Sequence, residues 1–340
     1  MTFTVALDAF GGDQGPAVVV PAAFRVLSEY DRLRVILVGE RATLERAVRT
    51  QETPDGDRLS IHHASQTVAM DDLPSQALRT KKDSSMRVAV NLVKDGIAHA
   101  CVSAGNTGAL MATARFVLRT LPGIDRPAIV SSLPTIRGHT RLLDLGANVD
   151  STPGQLFQFA VMGSVVTSAI DNVAHPRVGL LNIGEEEMKG NQRVKETARL
   201  LARSELNYIG FVEGDDIYRG SADVIVCDGF VGNVALKSSE GVAQMISHYV
   251  RQEFTKTFSA RIAALVARPV LKKLRHKMDP RRYNGASFVG LRGIVVKSHG
   301  GADVLAFANA IREAIAEVQK NVPARISKRL ESVLTTKEAV

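Results

Sequence analysis

Four glycine-rich stretches carry the residues best suited to chemistry, and each follows a short apolar run and precedes a helical pattern. They are Asp8-Ala-Phe-Gly-Gly-Asp13 with Gly15-Pro16 behind it, Ser103-Ala-Gly-Asn-Thr-Gly108, Asp144-Leu-Gly-Ala-Asn-Val-Asp150 and Asp228-Gly-Phe-Val-Gly-Asn233. The second is the best anion site. Its glycines let backbone approach a ligand closely, and the free amides and positive dipole end of a helix start favour phosphate. Thr107 adds a hydroxyl donor. The same residue types also make ordinary turns, so spacing alone leaves both readings open. Five carboxylates fall in these turns: Asp8, Asp13, Asp144, Asp150 and Asp228. Such groups can hold Mg²⁺ with substrate oxygens or cap helices and close turns, and capping is the reading preferred for most of them.

Two more strand ends carry polar groups. Gly184-Glu-Glu-Glu-Met-Lys-Gly-Asn191 places Lys189 beside a Gly-Asn turn, within reach of an anion or simply in a charged loop. Val295-Val-Lys-Ser-His-Gly-Gly301 ends another apolar run with Lys297, Ser298 and His299, and a lone histidine there reads more readily as a loop residue. Dinucleotide, Walker A, nucleophile-elbow and zinc-protease motifs are missing. Cys101 in a strand and Cys227 at the end of one read as small buried apolar residues. Covalent acyl-enzyme chemistry therefore has no obvious carrier, and no metal site is assigned.

The elements that must position these turns alternate along the whole chain. Strands are expected at Phe3–Leu7, Arg34–Val38, Leu59–His63, Ala98–Ser103, Ala128–Ser132, Arg141–Leu145, Val178–Ile183, Tyr208–Val212, Asp223–Cys227 and Gly293–Lys297. Helices are expected at Ala17–Glu29, Ala42–Thr50, Ser85–Asp95, Thr107–Thr120, Gly154–Ile170, Asn191–Ser204, Gly232–Glu253 and Val304–Asn321. Near-continuous apolar strands such as Val224-Ile-Val226 suit burial on both faces. The pattern predicts an α/β fold: a doubly wound, mostly parallel sheet in three layers. With no low-complexity linker, residues 1–340 read as one two-lobed unit. In such folds ligands bind beyond the carboxyl ends of the strands, where these turns lie.

Composition is ordinary for a globular chain, with 340 residues, 45% hydrophobic and 23% charged. Disorder, fibres and coiled coil are excluded at this level. No apolar run approaches the roughly 18 residues of a membrane span, and Asp8 interrupts any signal-like start, so a cytoplasmic protein is expected. The net charge of +8 is local. Residues 251–282 hold ten Lys/Arg against Glu253 and Asp279, so this one segment accounts for all of it. Phe258, Ile262, Leu265, Val266, Leu271, Leu274 and Met278 give it an apolar stripe near helical spacing, and Pro269 is expected to split it into two short helices. It reads either as a solvated helix with its stripe in the core or as a docking surface for an acidic protein or anionic bilayer. Arg268, Lys272, Lys273, Arg275, Lys277, Arg281 and Arg282 are the candidate contacts. Nucleic acid is not expected, since tryptophan is absent and aromatics are 5%.

At these turns the chain resembles the bacterial phosphate acyltransferase family (acyl-ACP:phosphate acyltransferase, PlsX). The matching stretches run in order: ALDAFGGDQGP (6–16), SAGNTGALM (103–111), GIDRPAI (123–129), LDLGANVD (143–150), MGSV (162–165), VGLLNIG (178–184), KGN (189–191), DGFVGNVALKSSEG (228–241), YNGA (283–286) and GIVVKSHG (293–300). Phe10 stands where methionine is usual and Ser151 where cysteine is common, and neither change removes a plausible catalytic group. The resemblance implies a homodimer with the isocitrate/isopropylmalate dehydrogenase-like fold shared with phosphotransacetylases. It implies attack of inorganic phosphate on a long-chain acyl thioester of acyl carrier protein, with no cofactor. The acyl phosphate then feeds a membrane glycerol-3-phosphate acyltransferase of the PlsY type at the start of phospholipid synthesis. The protein would sit peripherally on the inner face of the cytoplasmic membrane.

Phosphate is itself the nucleophile in that reaction, so the enzyme mainly positions two reactants and stabilises an oxyanion. Gly105, Asn106, Thr107 and Gly108 are the expected phosphate site. Lys189, Asn233 and Lys237 are the expected charge-neutralising or oxyanion donors, with Asp8, Gly11, Gly12, Asp13, Asn148 and Asp228 in the surrounding turns. Competing readings are a metal-dependent decarboxylating dehydrogenase, a short-chain phosphotransacetylase, and a non-catalytic adaptor for a carrier protein or membrane surface.

Overall fold

The computed structural model describes residues 2–51 and 57–338, with the side chains of 275–278, 280 and 333–338 outside the description. Eleven strands form one sheet in the order β3-β2-β1-β4-β11-β10-β5-β6-β9-β7-β8. The first lobe of the sheet comprises β1 (Phe3–Asp8), β2 (Leu33–Gly39), β3 (Leu59–His63), β4 (Ala100–Ser103) and β11 (Ile294–Lys297), all parallel. β10 (Ala286–Val289) runs against both β11 and β5 (Ala128–Thr135), and β5 runs against β6 (Gly138–Leu143). β9 (Val224–Val226), β7 (Val178–Leu181) and β8 (Tyr208–Val212) then follow β6 in parallel. Three successive reversals therefore point the carboxyl ends of β6, β9 and β7 toward the sheet edge opposite to those of β1, β4 and β11.

Apolar residues on alternate sides of each strand build a helical layer on each face. On one face α1 (Pro16–Leu27), α2 (Arg41–Arg49) and α11 (Val304–Lys320) cover the first lobe. The same face of the second lobe is covered by α6 (Pro153–Ile170), α7 (Gln192–Ala202) and α12 (Val322–Glu338). α6 is apolar nearly all round, as its sequence suggests, and most of its residues are buried. The opposite face is covered by α3 (Pro74–Thr80), α4 (Ser85–Lys94), α5 (Thr107–Leu118), the short α8 (Asp216–Arg219) and the start of α9 (Gly229–Lys256). This is the expected three-layer, doubly wound α/β architecture.

α10 (Phe258–Met278) differs from expectation. It runs through Pro269 without a break. A proline frees the carbonyl four residues back. That residue is Leu265, which is exposed, so water can satisfy the freed group. The distal part of α9 and α10 pack on each other as an arm beyond the core. Val242, Met245, Ile246 and Tyr249 of α9 are exposed, as are Phe258, Ile262, Leu265, Val266, Val270 and Leu274 of α10. The apolar stripe is therefore not buried in this chain's own core. α3, α8, α12 and β10 were not expected from the sequence.

Candidate functional site

The last residues of β1, β4 and β11 are Asp8, Ser103 and Lys297, and parallel pairing sets them side by side. Side chains alternate along a strand. Because Ala6, Cys101 and Val295 point into the core beneath α4 and α5, the residues two further on emerge on that same face. Three polar residues thus form a row at one sheet edge, although they lie far apart in sequence. Asp8 is 1% exposed, Ser103 0% and Lys297 8%.

Hydrogen bonds tie the row to the glycine-rich turn behind it. Ser103 Oγ donates to Asp8 Oδ2 at 2.6 Å and accepts from Gly105 N–H at 3.0 Å. Lys297 Nζ donates to the Ala104 carbonyl at 3.1 Å and also to the Ser298 carbonyl. Asp8 Oδ1 is buried and has no hydrogen bond of standard geometry among the described residues, although the Ser85 hydroxyl and the Phe10 and Gly11 amides lie close enough to favour its charge. Gly11 closes over this group. A Cβ on it would lie 2.6 Å from Asp8 Oδ2 and 2.7 Å from Gly105 N, so no other residue fits there. Burial pushes the Asp8 carboxyl above its ordinary range, against the Ser103 and Ser85 hydroxyls and the Phe10 and Gly11 amides. Burial also pulls the Lys297 ammonium down to about 8. Asp8 and Asp13 oppose that shift, and Lys237 adds to it.

The Gly105–Gly108 stretch opens α5 as expected. Asn106 caps the helix, its Oδ1 accepting from Ala109 N–H at 3.0 Å. Its amide donates to the Met70 and Asp72 carbonyls at 2.8 and 3.0 Å, which fastens residues 70–72 over the turn. The Asn106 side chain is thereby committed to structure. The exposed Thr107 and Gly108 keep amides with no acceptor among the described residues. Asp13 and Gly12 sit at the rim, where Asp13 N–H donates to the Gly300 carbonyl at 3.0 Å. The exposed His299 accepts from Gly301 N–H at 3.1 Å, and Asn284 holds Ser298 and His299 in place.

A second glycine-rich end lies at the opposite edge. Asp144 is buried there, but all its capacity is used. Oδ1 accepts from the Ile129 and Ala147 amides at 2.9 and 3.1 Å, and Oδ2 from the Asn148 amide and Nδ2 at 2.7 and 2.9 Å. Asn148 also donates to the Pro127 carbonyl at 2.8 Å. Asp228 caps α9 through Val231 N–H at 3.0 Å and faces Arg193 at 3.4 Å. Asn148 and Asp228 therefore hold this turn together. Asn233 lies over Gly146. Lys189, at this same edge, pairs with Glu186 at 2.8 Å, which holds its ammonium above the ordinary value.

α9 links the two edges. Lys237 lies about 12 Å along the helix axis from Gly229, at 1.5 Å per residue. That brings it within electrostatic range of Lys297. It pairs with Glu240 at 2.8 Å and is otherwise exposed. The structure thus gathers Asp8, Gly11, Gly12, Asp13, the 105–108 turn and Lys237 at one edge and leaves Asn148, Lys189 and Asp228 at the other. Lys297 and Ser103 were not chosen as site residues from the sequence. The available signal was a charged residue closing a buried apolar strand, as in Ile294-Val-Val-Lys297.

Arg268, Lys272, Lys273 and Arg282 are exposed on or beside the arm. Arg281 is taken up by Asp279 and Asp303 at 2.6 and 2.7 Å. The side chains of Arg275 and Lys277 lie outside the described residues. A groove of about 470 Å³ beside α12, lined by Leu121, Arg292, Asn321, Pro323, Ala324 and Ser327, carries none of the site residues. Both thiols are buried and pushed well above their ordinary value, Cys101 and Cys227 alike, so neither suits a nucleophile. No helix among the described residues is long and apolar enough to cross a membrane.

Residues 3–325 match the family described as "Fatty acid synthesis protein". A phosphate acyltransferase from Nitrosococcus oceani is 63% identical over 340 residues, covering 100% of both chains. One from Alkalilimnicola ehrlichii is 62% identical over 99% of this chain and 98% of its own. Among solved structures, a phosphotransacetylase from Streptococcus pyogenes superposes with a TM-score of 0.62 at 18% identity, covering 94% of each chain. At that identity the likeness speaks for the fold alone.

Proposed function

This chain belongs to the fatty acid synthesis protein family, whose close relatives are phosphate acyltransferases, and from that premise we propose that it transfers a long-chain acyl group from acyl carrier protein to inorganic phosphate. The products are acyl phosphate and the free carrier thiol. The observation that carries this reading is the buried Lys297 cation beside the open amides at the start of α5. Such a pairing favours an anion. Both thiols are buried with raised titration, and this reaction requires no nucleophile from the protein.

Phosphate sits on the open Thr107 and Gly108 amides and the Thr107 hydroxyl, with Lys237 supplying further positive charge. Binding there holds one phosphate oxygen against the thioester carbonyl, so an encounter of two reactants becomes a positioned one. Donors fixed before the reaction then stabilise the charge that grows on the carbonyl oxygen. Asn233 and Lys189, at the far edge, serve that oxyanion only if the thioester reaches across the face covered by α9. The basic, apolar arm docks the acidic carrier protein or the anionic inner leaflet, and its exposed stripe suits a second copy in a homodimer. The acyl phosphate passes to a membrane glycerol-3-phosphate acyltransferase of the PlsY type, which places the protein peripherally on the cytoplasmic membrane.

The test uses purified protein, palmitoyl acyl carrier protein and phosphate. Thiol release and hydroxylamine-trappable acyl phosphate are followed together. Release that needs phosphate is the expected result. An intact, folded sample that releases no thiol overturns the assignment, and turnover of acetyl-CoA in preference to the carrier thioester moves it to a short-chain phosphotransacetylase.

A further inference from the structure

A lysine whose hydrogen-bond acceptors among the described residues are two backbone carbonyls is an unfavourable thing to bury. A strand end needs no such residue to fold. An ammonium has three donors, so one remains after Ala104 and Ser298 are served. Across Ser103, two strands away at the same sheet edge, the buried Asp8 carboxyl favours the ammonium. Gly11 lets backbone close against the row, since a Cβ there would lie 2.6 Å from Asp8 Oδ2 and 3.0 Å from Ser103 Oγ.

The geometry points to Lys297 as the catalytic acid that protonates the departing thiolate, an assignment that rests on the phosphate acyltransferase reading. A fixed cation alone would be served better by arginine, whose planar fork matches phosphate and which does not titrate. A lysine is the residue of choice when a proton must move. Burial brings its titration to about 8. That lies close to an ordinary thiol near 8.5, and such matching makes proton transfer efficient. The charged groups around it are Asp8 from β1 and Asp13 from the turn after β1, which favour the ammonium, and Lys237 from α9, which disfavours it. His299 follows Lys297 in the chain.

The step balances without an oxidant or a reductant. A phosphate oxygen of HPO₄²⁻ forms a bond to the carbonyl carbon. The carbon–sulfur bond breaks, and its electron pair leaves on sulfur. Sulfur takes a proton from the Lys297 ammonium. The neutral amine then recovers a proton from the hydroxyl of the new acyl phosphate. In sum, the proton of hydrogen phosphate ends on the carrier thiol.

The experiment measures kcat/KM for palmitoyl acyl carrier protein from pH 6 to 9.5 on the full chain and on Lys297→Arg. The wild type should lose activity above an apparent pKa near 8, about tenfold per pH unit. Lys297→Arg keeps the cation but not the titration. It should lose about 100-fold or more in kcat, lose the alkaline limb, and leave the KM for phosphate within about threefold. A flat wild-type profile from pH 7 to 9.5 overturns the assignment, and so does an arginine variant within tenfold of wild type. The wild-type profile stands whether or not the variant folds. A wild type inactive with phosphate at every pH overturns the acyltransferase reading itself, a result distinct from either of those.

Discussion

The ends of β1 and β6 look alike in sequence and do opposite work. Each finishes a buried strand with an aspartate and runs into glycine, and each aspartate is buried with its carboxyl pushed up by burial. Asp144 spends both oxygens on four donors that fold its own turn. Asp8 has one bond of standard geometry, from Ser103, with looser support from the Ser85 hydroxyl and the Phe10 and Gly11 amides, and Lys297 stands beyond Ser103. A fully satisfied buried carboxylate is structure. A loosely satisfied one two strands from a buried cation is a cost to the fold of the kind that clusters at functional sites.

Substitution should separate the two ends most sharply at the aspartates. Asp144→Ala strips acceptors from three buried donors and one part-buried donor and should cost about 3–5 kcal/mol, read as a lowered urea midpoint. Asp8→Asn keeps the shape and removes a charge that burial disfavours. It should change stability by less than about 1 kcal/mol at pH 7 while lowering kcat about 100-fold. Equal destabilisation by the two changes would erase the distinction.

A second contrast concerns Lys297. Its titration falls from 10.5 in the unfolded chain to about 8 in the fold. The folded state therefore binds fewer protons between those values, and burying the ammonium weakens the fold fully below pH 8. The penalty fades as pH rises from 8 toward 10.5. Lys297→Met should accordingly raise stability by up to about 3 kcal/mol at pH 7, with the gain vanishing near pH 10.5, while activity is lost. Thermal melts at pH 7 and 10 check both signs. A loss of stability at pH 7 would make Lys297 a structural residue like Asp144.

The arm supplies the mildest case. Lys272→Glu with Lys273→Glu changes two exposed side chains. Stability should move by less than about 0.5 kcal/mol, while the KM for acyl carrier protein rises about tenfold or binding to anionic vesicles is lost. If neither changes, the arm is only a solvated face.

Much of this was legible in the chain itself. Val224-Ile-Val226 and its kin declare buried parallel strands, because a strand covered on both faces must be apolar throughout. The turn at 103–108 announces a helix start, and α5 begins at Thr107 as expected with Asn106 as its cap, whereas α9 begins at Gly229, three residues before the expected Gly232, with Asp228 as its cap. Short or weakly patterned pieces escaped. β10 holds only four residues, and α12 follows α11 with Asn321 alone between them. Pro269 misled because an exposed helix tolerates a broken hydrogen bond that a buried one does not.

The sequence by itself determined the alternation of strands and helices, the anion-ready turn and the concentration of charge on one segment, since these follow from local propensity and composition. It did not determine which turns share a site. Asp8, Ser103 and Lys297 span nearly the whole chain, and only the pairing of β1 with β4 and of β4 with β11 makes them neighbours. The reversals at β10, β5 and β6 send the equally promising Asp144 turn to the other edge. Strand order and direction are set by packing across the whole sheet, so a residue's burial, its partners and hence its chemistry are tertiary properties.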